Sequence, residues 1–215
     1  LEDPDDADLR AAQQAFDGWI WEDDVKGLRV AGARSATWDT SFALQALAEA
    51  APHVEVKASL SRGVDFLRSQ QIKESFEGYG EHHRIDPQGG WCFAGVWHGW
   101  PVSDCTAEAM LALLHANDGE VDVERLESGA EFIVRAQNPD GGFGSYERQK
   151  SRVPLEWLNP AEMFGDSMTE HSYVECTASC IAALATFTAR FPERATPALK
   201  ESIARGVARL RRAQN

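Results

Sequence analysis

Asp104 and Cys105 stand together in the run Ser103-Asp104-Cys105-Thr106-Ala107-Glu108, and a second Cys-Thr pair, Cys176-Thr177, follows later in the chain. A carboxyl group beside two thiols has the makings of a proton donor. A carboxyl enclosed in an apolar cavity tends to stay protonated, because burial disfavours its charged form. Thiols that donate to it, and a helix N-terminus worth up to ~2 kcal/mol to an anion, stabilise the conjugate base and favour proton release. Such a balance suits general acid catalysis. On spacing alone the same residues also describe a helix-capping aspartate with two buried free cysteines, and on that footing the plainer reading is the better one.

The elements that would position these residues emerge from an internal repeat. Three segments align without gaps: Asp39-Thr40-Ser41-Phe42-Ala43-Leu44-Gln45-Ala46-Leu47, Cys105-Thr106-Ala107-Glu108-Ala109-Met110-Leu111-Ala112-Leu113 and Cys176-Thr177-Ala178-Ser179-Cys180-Ile181-Ala182-Ala183-Leu184. Each has Thr second, a small residue third and Ala-Leu last. Small and apolar residues on nearly every side predict three buried helices. A more charged segment follows each one, over 58–70, 123–137 and 197–214, with apolar residues at helical spacing. Buried helices alternating with amphipathic ones predict inner and outer layers, an all-α fold of α/α barrel (toroid) type. Inner helices of a toroid start at one end, so the alignment by itself gathers Asp104, Cys105 and Cys176 at one mouth of a central cavity. Asp39 also precedes a repeat helix, and there a capping role is expected.

The outer segments carry a second signature. Gly63 is followed by Gln70, Gly129 by Gln137 and Gly206 by Gln214, and the first two copies lead into the turns Gly89-Gly90-Trp91 and Asp140-Gly141-Gly142-Phe143-Gly144. Asn138-Pro139-Asp140-Gly141-Gly142 is a helix stop and turn by its own chemistry. The third copy ends at Asn215 before such a turn, so 1–215 is expected to be one incomplete barrel portion of three helix-pair repeats, cut in the third.

Composition narrows the class. The chain has 215 residues, 43% apolar and 26% charged, with a formal charge of −13. That is globular and acidic, which argues against nucleic acid or an anionic membrane surface as the main partner. The four cysteines form neither a secreted disulfide framework nor a Cys-x-x-Cys zinc pattern, so a reducing cytosol is expected. No apolar run approaches the ~20 residues needed to span a bilayer. Core packing is expected for most of the seven tryptophans, including Trp19, Trp21 and Trp157, and His82-His83 reads as solvated loop.

The repeat of outer helix, Gln and Gly-aromatic turn is similar to the Gln–Trp repeats of the squalene and oxidosqualene cyclases. Longer stretches carry the resemblance over about residues 18 to 215. Trp38-Asp39-Thr40-Ser41-Phe42 resembles the family's WDTAF segment, and Asp104-Cys105-Thr106-Ala107-Glu108 is the signature of the oxidosqualene branch. Gly89 to Phe93, Asn138 to Glu147, Leu158 to Asp166 and Tyr173 to Thr177 follow in family order. The resemblance implies a portion of the catalytic domain of an oxidosqualene cyclase of lanosterol or cycloartenol synthase type. Such an enzyme would need no cofactor and no metal. Its substrate is the lipid 2,3-oxidosqualene, and its intact members sit on one membrane leaflet.

By the same resemblance Asp104 is the acid, with Cys105 and Cys176 as its hydrogen-bond partners, and Trp38, Phe93 and Tyr146 stand where the family places cation-stabilising rings. A ring facing a desolvated cation is worth roughly 0.5 to 2 kcal/mol. His98 and Val102 bear on the product: cycloartenol-formers usually carry His and Ile at these positions, and lanosterol-formers carry Val at the second. Where the family uses Tyr or Thr for the final deprotonation, an ungapped count from Trp38 lands on Gly32. Lanosterol, cycloartenol and parkeol therefore all stand as expected products. Two other readings are weighed. A protein prenyltransferase β-subunit shares the toroid but needs an Asp, Cys and His zinc set. A lipid-binding or structural half-toroid needs no chemistry, and an isolated half-barrel is expected to be inactive and to self-associate through uncovered inner helices.

Overall fold

The computed structural model describes residues 6–30, 33–116, 121–149, 155–160, 165 and 168–214. Gly32 lies outside the described residues, as do Met163 and Asp166 of the Leu158-to-Asp166 motif. The chain forms two compact units, Leu1–Arg34 and Ser35–Asn215.

In the first unit, helix α1 (Ala7–Phe16) starts where the Asp6 carboxylate accepts the N–H groups of Asp8 and Leu9. A hairpin follows, with strands β1 (Ile20–Asp23) and β2 (Gly27–Val30) antiparallel and Asp23 opposite Gly27. Asp23 Oδ1 accepts from Val25 N at 2.8 Å, and Gly27 takes a φ of +69° that favours glycine, which together close the turn. The repeats give no signal for this hairpin. Trp21 faces outward on β1, 52% exposed with Arg29 over its ring at 5.0 Å, and so is not the core residue expected.

The second unit is the expected alternation. Inner helices are α2 (Ala36–Ala50), α4 (Ser103–His115) and α6 (Val174–Arg190), and outer helices are α3 (Lys57–Gln70), α5 (Val123–Ala136) and α7 (Pro197–Ala213). α4 packs between α2 and α6, while α3, α5 and α7 each back their own inner partner. The result is an incomplete portion of an α/α barrel. Caps mark two outer starts: Asp122 accepts from Arg125 N, and Thr196 accepts from Leu199 N with Pro197 at the first helical position. Asp39 and Asp104, by contrast, sit inside the first turn of their helices and not before them. α2 already begins at Ala36, where Asp39 accepts a 2.7 Å bond from Ser35 Oγ.

Of the three inner helices, α4 is buried from Cys105 to Ala112. α2 buries only Thr37, Ser41 and Leu44, because it has an inner neighbour on one side alone; Phe42 is 44% exposed, as is Val174 on α6 at 49%. The core gathers Leu44, Leu67, Trp91, Met110, Phe132 and Phe187. Burying a side chain of that size is worth roughly 1.5–3 kcal/mol. Trp157, expected in a core, is 76% exposed on a short 3-10 turn.

The repeat signature has a physical cause at each position. A Cβ on Gly63 would lie 2.5 Å from Leu44, one on Gly129 3.0 Å from Met110, and one on Gly206 2.4 Å from Ile181. Those three residues are the sixth in each inner segment, so the glycine is where outer and inner helices touch. In the second and third copies the Thr at position two accepts the aromatic N–H of the preceding turn, Trp91 N to Thr106 Oγ1 at 2.9 Å and Phe143 N to Thr177 Oγ1 at 3.0 Å. Gln137 Nε2 donates to Gly141 O (3.0 Å) and to Ser202 O on the next outer helix (2.8 Å). In the first copy this place belongs to Gln71 and not to Gln70. Gln71 Nε2 donates to Gly89 O (2.8 Å) and Arg125 O (3.0 Å), whereas Gln70 Oε1 accepts from Val96 N (3.0 Å). Each such buried bond contributes about 1 kcal/mol, and losing the donor strands a carbonyl at greater cost.

Candidate active site

The turns that follow the outer helices bring the inner helix starts together. Val102 N donates to Trp91 O at 2.9 Å, and Ser103 N donates to Ser145 O at 2.8 Å, which pins the beginning of α4 between two successive turns. Thr37 N and Trp38 N donate to Ala94 O and Phe93 O, fixing the start of α2 at the same end. Tyr173 N, one residue before α6, donates to Phe143 O at 2.9 Å. One end of the inner layer therefore holds Asp104, Cys105 and Cys176, as the repeat alignment requires.

Asp104 is partly buried, and both its oxygens are engaged. Oδ1 accepts the Cys105 N–H at 2.7 Å, and Oδ2 accepts from the Cys176 thiol at 3.4 Å. The first turn of α4 turns the positive end of the helix toward the carboxylate, a placement worth up to ~2 kcal/mol to an anion. Ser145 Oγ lies 3.7 Å from Cys176 Sγ.

Burial first, then the Asp104 charge and its hydrogen bond, push the Cys105 thiol far above its ordinary range. Burial and then the Asp104 charge push Cys176 up to about 12, against the opposing Ser145 and Ser103 hydroxyls. Cys92 is pushed up to about 11 by burial, opposed by the backbone N–H groups of Trp100 and Gly99, and burial carries Cys180 well above its usual value. All four cysteines are buried and free. Of these, the thiols of Cys105 and Cys176 are the donors that meet Asp104.

Tyr146 stands beside this cluster. Its phenol is pushed up by burial and then by the fields of Cys105, Asp104 and Glu170. Trp38 and Phe93 form a separate aromatic pair, centroids 6.1 Å apart and half-buried, with Phe42 edge-on to Trp38 at 4.8 Å. Val102 is buried at the residue preceding α4, where its carbonyl accepts from Thr106 N and Oγ1. His98 lies on an exposed turn, Val96–His98, its ring tilted against Trp97. So the structure joins Asp104, Cys105, Cys176 and Tyr146 in one cluster, sets Trp38 with Phe93 in another, and leaves His98 on the surface.

Three participants escape sequence reasoning. Ser145 and Ser103 touch the thiols, and Glu170 Oε1 accepts the N–H of Tyr146 at 3.2 Å. Ser103 and Ser145 are adjacent to the motifs and could be found there, but nothing periodic marks Glu170. Glu108 is buried on α4, where its Oε2 accepts from Gln45 Nε2 at 2.8 Å. Among the described residues no three His, Cys, Asp or Glu side chains group to hold a metal ion. A cleft of about 710 Å³ opens at the far end of α2 and α4, between Ala48, Val56, Leu60 and His115, away from the acid cluster.

These features define a helical-toroid domain whose inner helices begin at a carboxyl–thiol cluster. Residues 34–215 match the squalene-hopene cyclase C-terminal domain, and the chain belongs to that cyclase family. The lanosterol synthase of Homo sapiens is 38% identical over 200 residues, covering 88% of this chain and 27% of that protein. The lanosterol synthase of Pneumocystis carinii is 34% identical over 221 residues, covering 99% and 31%. The cycloartenol synthase of Dictyostelium discoideum is 35% identical over 189 residues, covering 84% and 27%. The chain thus spans less than a third of the length of these relatives.

Proposed function

We propose that the whole protein converts (3S)-2,3-oxidosqualene to a tetracyclic sterol precursor (lanosterol, cycloartenol or parkeol), with Asp104 as the acid that starts the reaction. The observation that carries this reading is the bond from Cys176 Sγ to Asp104 Oδ2 across two inner helices, together with the likeness to lanosterol and cycloartenol synthases. Protonated Asp104 gives its proton to the epoxide oxygen. The C–O bond breaks, the oxygen keeps the electron pair as a hydroxyl, and the carbocation left behind is taken up by successive alkene additions. Loss of one proton at the end leaves an isomer of the substrate.

The donors at Asp104 support the carboxylate left after transfer: the Cys105 N–H, the Cys176 thiol and the start of α4. Trp38, Phe93 and Tyr146 would face the moving cation, each worth roughly 0.5 to 2 kcal/mol. Val102 and His98 are the positions we assign to product choice. Cation chemistry requires water to be excluded, so the isolated chain, an incomplete barrel, would be inactive. Uncovered Phe42 and Val174 support self-association of the isolated chain. Among the described residues no helix is long and apolar enough to cross a membrane. A lipid substrate favours a cytosolic protein resting on one leaflet. Incubating this chain and the whole protein with oxidosqualene in detergent, then analysing by gas chromatography–mass spectrometry, tests the reading. A tetracyclic alcohol from the whole protein alone is expected. No cyclised product from the folded whole protein would leave a lipid-binding toroid instead.

A further inference from the structure

Arg84 lies in the loop between α3 and α4 and takes no part in the acid cluster, yet its guanidinium is packed against two rings and faces a carboxylate, with its buried Nε making no hydrogen bond among the described residues. Its guanidinium lies over the Trp100 ring at 4.7 Å and over the Phe76 ring at 5.2 Å, and its Nη2 donates to Gly99 O at 3.0 Å. Its Nε lies 3.6 Å from Glu147 Oε1, with both side chains largely buried at 22% and 13% exposed. Glu147 closes the arrangement: Oε1 accepts from Trp100 Nε1 at 3.3 Å, and Oε2 accepts from Ile85 N at 3.0 Å. Trp100, gripped on its face by Arg84 and on its edge by Glu147, lies with its centroid 5.0 Å from that of Tyr146, at 55°. Glu147 is also the chain neighbour of Tyr146, whose own N–H is held by Glu170 at 3.2 Å.

We infer that Arg84 and Glu147 are positioning residues for Tyr146: they clamp Trp100 as a fixed wall that sets the angle of the tyrosine ring beside Asp104. A lone surface ion pair is worth little. This pair is largely buried, holds an indole by face and edge, and spans a loop and a turn from two different repeats. Removing the cation frees the Trp100 face, and Tyr146 loses the surface that fixes it. The inference rests on the proposed role of Tyr146 in cyclisation for its effect on products, but not for its effect on the ring.

Two measurements separate those parts. The chain has three tyrosines, Tyr79, Tyr146 and Tyr173, so 3-fluorotyrosine labelling gives a readable fluorine spectrum. In Arg84→Met, and in the milder Glu147→Gln, the Tyr146 signal should move or broaden while that of Tyr173 stays in place as the check on folding. A Tyr146 signal unmoved in both variants overturns the inference. In the whole protein, the same variants should raise the share of incompletely cyclised products by a factor between roughly two and thirty, the range a misplaced cation–π ring implies, with KM for oxidosqualene little changed. If Tyr146→Ala shifts the products and the two clamp variants do not, the clamp is refuted and the role of Tyr146 stands. If Tyr146→Ala leaves the products unchanged as well, the proposed role of Tyr146 fails, and the clamp falls with it as a determinant of products.

Discussion

Replacing Gly89 by alanine tests how the repeats lock together. Gly89 and Gly99 share a left-handed backbone, with φ of +90° and +66°, so an alanine at either pays the same conformational penalty of roughly 1–2 kcal/mol. Their surroundings differ. A Cβ on Gly99 meets nothing within 4 Å, whereas one on Gly89 would lie 2.1 Å from the Ser128 carbonyl oxygen, a backbone atom of α5. The turn would have to retreat by roughly 1 Å, carrying away the Gly89 carbonyl that holds Gln71, and such overpacking adds roughly 1–3 kcal/mol. Gly89→Ala should therefore cost about 2–5 kcal/mol and Gly99→Ala about 1–2. With a urea slope on the order of 2 kcal/mol per molar, these correspond to losses of about 1–2.5 M and about 0.5–1 M in the unfolding midpoint. Urea titration followed by far-ultraviolet circular dichroism reads both. Equal midpoints for the two variants would show that the Gly89 turn is not docked on α5, and the interlocking account would be wrong.

Three further tests concern protons. Cys176 is pushed to about 12 from an ordinary 9.0, so at neutral pH it should carry about a thousandfold less thiolate than a free thiol, and alkylation by iodoacetamide in the folded chain should slow accordingly. Rapid labelling of Cys176 without denaturant would contradict the buried cluster. Because the folded thiols bind protons more tightly than unfolded ones, their stabilisation is complete below about pH 9 and should fade as pH rises toward 12, seen as a falling melting temperature. Asp140 gives the opposite sign. Burial works to raise its carboxyl, but Gly142 N–H, the Ser172 hydroxyl and Arg209 hold it below the ordinary range. Its contribution is present at neutral pH and lost on acidification through the folded value, so Asp140→Asn should flatten the acid limb of a stability–pH curve.

Much of this arrangement is legible in the residues because the repeat encodes contacts. Thr106 and Thr177 recur since each must accept one turn N–H, and Gly63, Gly129 and Gly206 recur since each must admit one inner side chain. The slip from Gln71 to Gln70 has a simple cause. Two glutamines stand in tandem, and only the constant interval of eight residues from Gly63, Gly129 and Gly206 distinguishes them. Asp39 and Asp104 were expected before their helices because capping residues look alike inside and outside the first turn. The exposure of Trp21 and Trp157 was invisible, since residue type does not say which side of a hairpin or turn faces water. The Arg84–Glu147–Trp100 arrangement was equally hidden. It joins loops from two repeats, and no periodicity marks a contact between non-periodic segments.

Asp104 is proposed to start the reaction, with Cys176 as its hydrogen-bond donor. The most direct test is a single-turnover assay of oxidosqualene cyclisation by the whole protein, comparing wild type with Asp104→Asn and Cys176→Ser, each checked for an unchanged melting transition. Asp104→Asn should abolish cyclised product, while Cys176→Ser, which keeps a donor at a shorter reach, should retain part of the rate. Near-normal turnover by folded Asp104→Asn would contradict the account and return Asp104 to a structural place at the start of α4.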